Sequence, residues 1–139
     1  MKKLSLGLIC LLLAVPCGAR TITVDDDGPA DFNNIQAAIN DANDGDTVIV
    51  ADGIYTGTGN RDIDFLGKAI TVKSKNGAAN CIIDCHADSN DPHQAFIFQS
   101  GEKPDSVLAG FTVTGSFSEE VITCYKNCSP RIVNCLFRD

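Results

Sequence analysis

Short β-branched runs recur along this chain at nearly constant spacing, and this recurrence limits the available folds more than any other feature. Residues 69–74 (AITVKS) resemble residues 95–100 (AFIFQS), and 121–124 (VITC) continue the series, with Ile70, Phe96 and Ile122 evenly spaced. A second series interleaves with it: residues 79–83 (ANCII), 109–113 (AGFTV) and 133–137 (VNCLF). Phe111 lies close to midway between Cys81 and Cys135. Two strand series with a common period of about 25 residues describe one supersecondary unit copied along an axis. The physical reading is a parallel β-solenoid, each turn laid on the previous one ~4.8 Å away. Cys81, Phe111 and Cys135 then form one inward apolar column, and Val72, Phe98 and Cys124 another. Phe111 points inward and Thr112 outward, because strand side chains alternate. Asn80, Gly110 and Asn134 share one position, and Asn and Gly tolerate a left-handed backbone, so this column marks a bend and a candidate asparagine ladder. A β-sandwich of short strands is the competing fold, but its strands would share no period.

Composition agrees with an all-β chain. The acid is 15 Asp against 3 Glu; Asp favours turns where Glu favours helices. With 44% hydrophobic residues a core is available and disorder is disfavoured. Residues 1–19 read as a secretory signal: Lys2 and Lys3, an apolar run from Leu6 to Val15, then small residues Gly18 and Ala19 before a cut at Arg20. A membrane anchor would need a longer run, and a lipoprotein would acylate Cys17. Cleavage removes two lysines and takes the formal charge from −7 to −9. That balance argues against nucleic acid and anionic membrane surfaces as partners. No second long apolar stretch follows, so no membrane span is expected in the mature chain.

One helix is legible. Phe32, Ile35, Ile39 and Ala42 form a stripe at steps of three and four. Asn33 is placed to cap it, Gln36 to complete a capping box, and Gly45 to stop it. The expected organisation is a signal peptide over 1–19, an N-terminal cap with the amphipathic helix over 20–45, and solenoid coils over 46–139. No capping element follows Phe137, so the coils are expected to be truncated at the C-terminus, as in a fragment of a longer protein.

Residues 21–39 (TITVDDDGPADFNNIQAAI) resemble the opening of secreted right-handed parallel β-helix repeat proteins, the pectate-lyase and pectin-methylesterase-like group. Asp31-Phe32, Ile35 to Ile39, Gly45 to Val50 and Gly53-Ile54-Tyr55 carry the likeness. It implies a pectin lyase-like fold, in which the helix caps the first coil, and a setting in polysaccharide chemistry outside the cell. The catalytic motifs of the pectin methylesterases are absent. Asp64-Phe65 matches only two residues of the segment bearing their catalytic aspartate, so no catalytic residue is carried over.

Several groups remain as candidate sites. Asp25, Asp26 and Asp27 could offer oxygens to a hard cation such as calcium, or form a solvated turn. Asp41, Asn43, Asp44 and Asp46 partly match a calcium loop. Asp62 and Asp64 alternate on an expected strand and could face one groove, where paired carboxylates can cleave glycosides. His86 and His93 flank Asp88, Asn90, Asp91 and Pro92 in an expected loop that could line a ligand groove. Five cysteines remain after cleavage: Cys81, Cys85, Cys124, Cys128 and Cys135. Cys81 and Cys135, two coils apart, sit beyond the ~6.8 Å Cα limit of a disulfide. Cys128 could reach Cys124 or Cys135. A zinc site needs four ligands and no histidine is near this group, so neither metal nor cofactor is assigned. Two functions stay open: an exported surface or polysaccharide-binding module, and the N-terminal part of a polysaccharide lyase or pectinesterase-like enzyme with its active site beyond residue 139.

Overall fold

The computed structural model describes residues 18–117 and 120–138. Most of the expected signal, residues 1–17, lies outside them. The first coil contains β1 (Thr21–Val24) and α1 (Ile35–Asp41). The second contains β2 (Thr47–Val50), β3 (Gly53–Thr56) and β4 (Ile63–Asp64); the third β5 (Thr71–Ser74), β6 (Cys81–Asp84) and β7 (Phe96–Phe98). The fourth contains β8 (Val107–Ala109), β9 (Thr112–Thr114) and β10 (Ile122–Cys124), followed by β11 (Arg131–Val133) and β12 (Leu136–Phe137). Strands stack only on equivalent strands of neighbouring coils, all in parallel, giving three sheets: β1-β2-β5-β8-β11, β3-β6-β9-β12 and β4-β7-β10. The chain is an all-β parallel solenoid with a short N-terminal helix.

The core fills the space between the sheets. In the first sheet Ile22, Val48, Val72 and Leu108 stack inward, all buried. In the second, the pairings Ile82↔Thr112 and Thr112↔Leu136 place Cys81, Phe111 and Cys135 in one column, as the repeat predicts. In the third, Phe96 pairs with Ile122, as their spacing predicts. The other half of that series is corrected. Thr71 pairs with Thr47 and Val107, so Ile70 and Val72 belong to the first sheet and do not stack under Phe96 and Phe98. The strand below Phe96 is that of Ile63, and the ring centroids of Phe65 and Phe98 are 4.7 Å apart. Alternation looks alike in all three sheets, which is why one period joined strands from two of them.

The bend column holds in part. Gly110 (φ +78°) and Asn134 (φ +53°) are left-handed, whereas Asn80 is not, and its side chain donates to the Asn76 carbonyl. There the third coil turns through a longer loop with Gly77 at φ +92°. A Cβ on Gly110 would meet Ser74 Oγ at 2.5 Å, so its neighbours as well as its backbone require glycine. Thr112 is also corrected: it faces out of the sheet but is only 3% exposed, because that loop covers it and its hydroxyl donates to the Ala78 carbonyl at 2.7 Å.

Helix α1 presses Ile35, Ala38 and Ile39 against the end of the core. Its N-cap is Asn34, not Asn33; the Asn34 side chain accepts from Ala37 N at 2.8 Å. Gln36 does not close a capping box. Its amide donates to the Asp64 carbonyl (3.0 Å) and accepts from Asp64 N (2.8 Å), acting as one more rung on the outer edge of β4. The edge of β1 is covered likewise: Phe32 N donates to the Thr23 carbonyl and Asp25 N to the Phe32 carbonyl. At the helix C-terminus Lys68 Nζ donates to the carbonyls of Ile39, Asn40 and Ala42 at 2.6–2.8 Å. A cation there satisfies orphan carbonyls and opposes the helix dipole. Lys68→Met should therefore cost about 1 kcal/mol and at most ~2 kcal/mol, read from urea unfolding. An unchanged midpoint would show that water satisfies these carbonyls equally well.

Candidate functional site

The loop of residues 85–94, between β6 and β7, folds back over the third sheet and makes one wall of an open groove of about 500 Å³. Asp62, His93, Gln94, Glu120, Thr123 and Tyr125 line it. The outward ladder Asp64↔Ile97↔Thr123 runs up this face. Two further depressions adjoin it. One shares Asp62 and His93 and continues to Gln36 and Arg61; the other shares Glu120, Thr123 and Tyr125 and continues to Lys126. The hollow thus crosses the second, third and fourth coils.

The loop is pinned through charge. Asp62 has a left-handed backbone (φ +52°) just before β4, which aims its carboxylate at the loop. Asp62 Oδ1 accepts from Gln94 N at 3.1 Å and Oδ2 meets His93 Nδ1 at 2.5 Å. The other ring nitrogen, Nε2, lies 3.1 Å from Asp91 Oδ1, out of line for a hydrogen bond and buried with no other partner among the described residues. Arg61 donates to the Cys85 carbonyl at 2.9 Å and approaches Asp91 Oδ2 at 3.5 Å. The Asp62 hydrogen bond raises the His93 pKa above the ordinary histidine value; burial opposes this and the Asp91 contact adds to it. Across the groove the Thr123 hydroxyl stands against Gln94 Oε1 and, at 3.2 Å, Glu120 Oε2, and can donate to one at a time. Tyr125, just after β10, is 55% exposed at the rim.

The expected loop is present; Pro92, His93 and Gln94 line the groove, and His93 lies between Asp62 and Asp91. His86 stays outside the groove, 3.5 Å from Asp84. Asp62 and Asp64 do not act as a pair: β4 starts at Ile63, and Asp64 is engaged by Leu66 N and Gln99 Nε2, each at 2.7 Å. Sequence reasoning missed Arg61, Gln94, Glu120, Thr123 and Tyr125. The Phe96–Ile122 spacing was the available signal, since it sets Thr123 beside Ile97 on the outer face.

The other candidates have structural roles. Asp46 is buried and accepts from Asn43 N and from the backbone and guanidinium of Arg20. Its pKa is lowered by those backbone donors, Asn43 first and then Arg20. Asp44 accepts from Ala69 N. Asp25, Asp26 and Asp27 have carboxylate oxygens within 4.8 Å of one another on a turn, where Asp25 Oδ1 also accepts from Asp27 N and Gly28 N. A hydrogen bond with Asp25 raises the Asp27 pKa. The five described cysteines are free thiols. Cys81 and Cys85 fill the core, and burial pushes their pKa values up to about 12 and about 11. Among the described residues no helix is long and apolar enough to cross a membrane.

No protein-family model, curated protein or solved structure matches the chain. The solenoid stands on its own strand pairing.

Proposed function

We propose that the chain is an exported β-solenoid module that holds a polysaccharide against the outer face of the third sheet. The observation that carries this reading is the open, polar groove across three coils with the Tyr125 ring at its rim. Small-molecule sites are typically enclosed and apolar; this one is neither. A sugar chain offers hydroxyls to amides and carboxylates and an apolar ring face to an aromatic side chain. Stacked coils repeat polar groups every ~4.8 Å, close to the length of one sugar unit in an extended chain. The signal-like residues 1–19 support a secreted or cell-surface location. The acidic balance favours a neutral glycan, since a polyanion would need calcium as a bridge.

Affinity electrophoresis in gels containing neutral polysaccharides or polygalacturonate, with and without calcium, tests the proposal. Retardation by a neutral polysaccharide is expected, and Tyr125→Ala should weaken it about tenfold (~1.4 kcal/mol). No retardation by any neutral polysaccharide, or full retention in Tyr125→Ala, would overturn it. Release of soluble sugars, unsaturated products or methanol in the same incubations would favour the lyase or esterase alternative.

A further inference from the structure

Backbone bonds hold the two ends of the groove wall, at Cys85, Ala87 and Gln94, while an ionisable ring links the Asp91 arm to the solenoid. We propose that loop 85–94 is a proton-operated latch, in which His93 carrying both ring protons bridges Asp62 on the second coil to Asp91 in the loop. Loss of one proton breaks the Asp91 half of the bridge.

The two ring nitrogens of His93 face different carboxylates. Nδ1 and Asp62 Oδ2 are in line at 2.5 Å, so this contact survives in neutral His93 with the remaining proton on Nδ1. Nε2 then presents a lone pair to Asp91 Oδ1 only 3.1 Å away. An attraction becomes a repulsion, and the His93 side chain, 18% exposed, has little water to soften it. Asp91 can leave, since its own side chain is 66% exposed. The charged groups around the ring are Asp62 and Arg61 from the second coil, Asp91 from the loop, and Glu120 across the groove from the fourth coil. Arg61, at 3.5 Å from an exposed carboxylate, forms a weak surface pair. The titrating imidazole therefore decides the position of the Asp91 arm.

The sign follows from linkage. With its folded pKa raised, His93 contributes fully below the unfolded value of ~6.5 and loses that contribution as pH rises through the folded value. The latch is closed on the acid side and opens on the alkaline side. Because Pro92, His93 and Gln94 line the groove, opening changes its wall. This inference does not depend on a glycan occupying the groove.

NMR on the full chain tests it without any ligand. The His93 ring should titrate above the ordinary histidine range. Above that midpoint, amides 88–91 should lose heteronuclear NOE, while Ala87, bonded to the Gly115 carbonyl, and the β6 and β7 amides keep theirs. In Asp91→Asn the loop NOE should no longer change with pH; in His86→Gln the change should persist. A His93 midpoint at or below the ordinary range, a loop NOE flat with pH, or the same loss in Asp91→Asn would each overturn the latch. Asp91 is exposed, so the Asn variant is expected to fold, and its unchanged strand amides verify this directly.

Discussion

Phe111→Ala should lower stability by about 3–5 kcal/mol, the range for truncating a buried aromatic side chain. The ring is fully buried, stacks between Cys81 and Cys135, and has its centroid 5.9 Å from that of Phe96. Phe111 thus touches two sheets and joins three coils, and in a solenoid such a loss falls on every interface that the residue helps to form. Much of a domain's usual margin would go with it. Thr112→Ala is the internal comparison. A surface position would cost almost nothing, but this hydroxyl holds the Ala78 carbonyl, so about 1 kcal/mol is expected. Thermal and urea melts of the two variants check both values. Equal losses would show that the cavity left by Phe111 collapses or that the 77–80 loop matters as much as the core.

Glu102→Ala should be the other severe change. This carboxylate is 1% exposed. Oε1 accepts from Gly67 N at 2.8 Å, and Oε2 from Ser100 N at 3.0 Å and the Cys128 thiol at 3.2 Å. One side chain thus ties the turns of the second, third and fourth coils together. Its removal orphans two backbone donors, each costing about 1–3 kcal/mol when buried, for an expected total of about 3 kcal/mol or more. Burial pushes the Glu102 carboxyl up, but the backbone and thiol donors together hold it below its ordinary value. A depressed carboxyl contributes above its unfolded pKa, and that contribution is lost as pH falls through the folded value. Stability measured from neutral pH downward should therefore show an acid limb below the ordinary glutamate range. Glu102→Gln should remove that limb and lower the neutral plateau, since an amide nitrogen must face at least one N–H. A Gln variant with an unchanged acid limb would assign the limb to other carboxylates.

Much of this architecture was legible because the inward columns are strict about size and polarity. Cys81, Phe111 and Cys135 could be aligned by eye, as could Phe96 and Ile122. Loops of unequal length obscured the first sheet. Thr47 and Thr71 are separated by a short coil, whereas Thr71 and Val107 are separated by one that the loop of residues 85–94 lengthens. Gln36 was read through the local spacing Asn33-x-x-Gln36, yet Asn34 took the cap and left Gln36 to Asp64, a partner on the next coil. Glu102, between Gly101 and Lys103, reads as part of a solvated turn; only the stacked turn of the next coil buries it. Half of the groove was visible in the composition of its loop. The other half, from Gln94 to Tyr125, depends on which residues face out of the third sheet, and that follows from register rather than from any motif.

The Gln36 rung has a consequence for self-association. A parallel stack of strands is a template that can recruit further chains onto either end. At the helix end, side-chain amide and chain segment already occupy the hydrogen-bonding sites of β4 and β1. Strand addition at those sites of the first and third sheets would have to displace intramolecular bonds, so this end of the stack is a poor template for recruiting another chain.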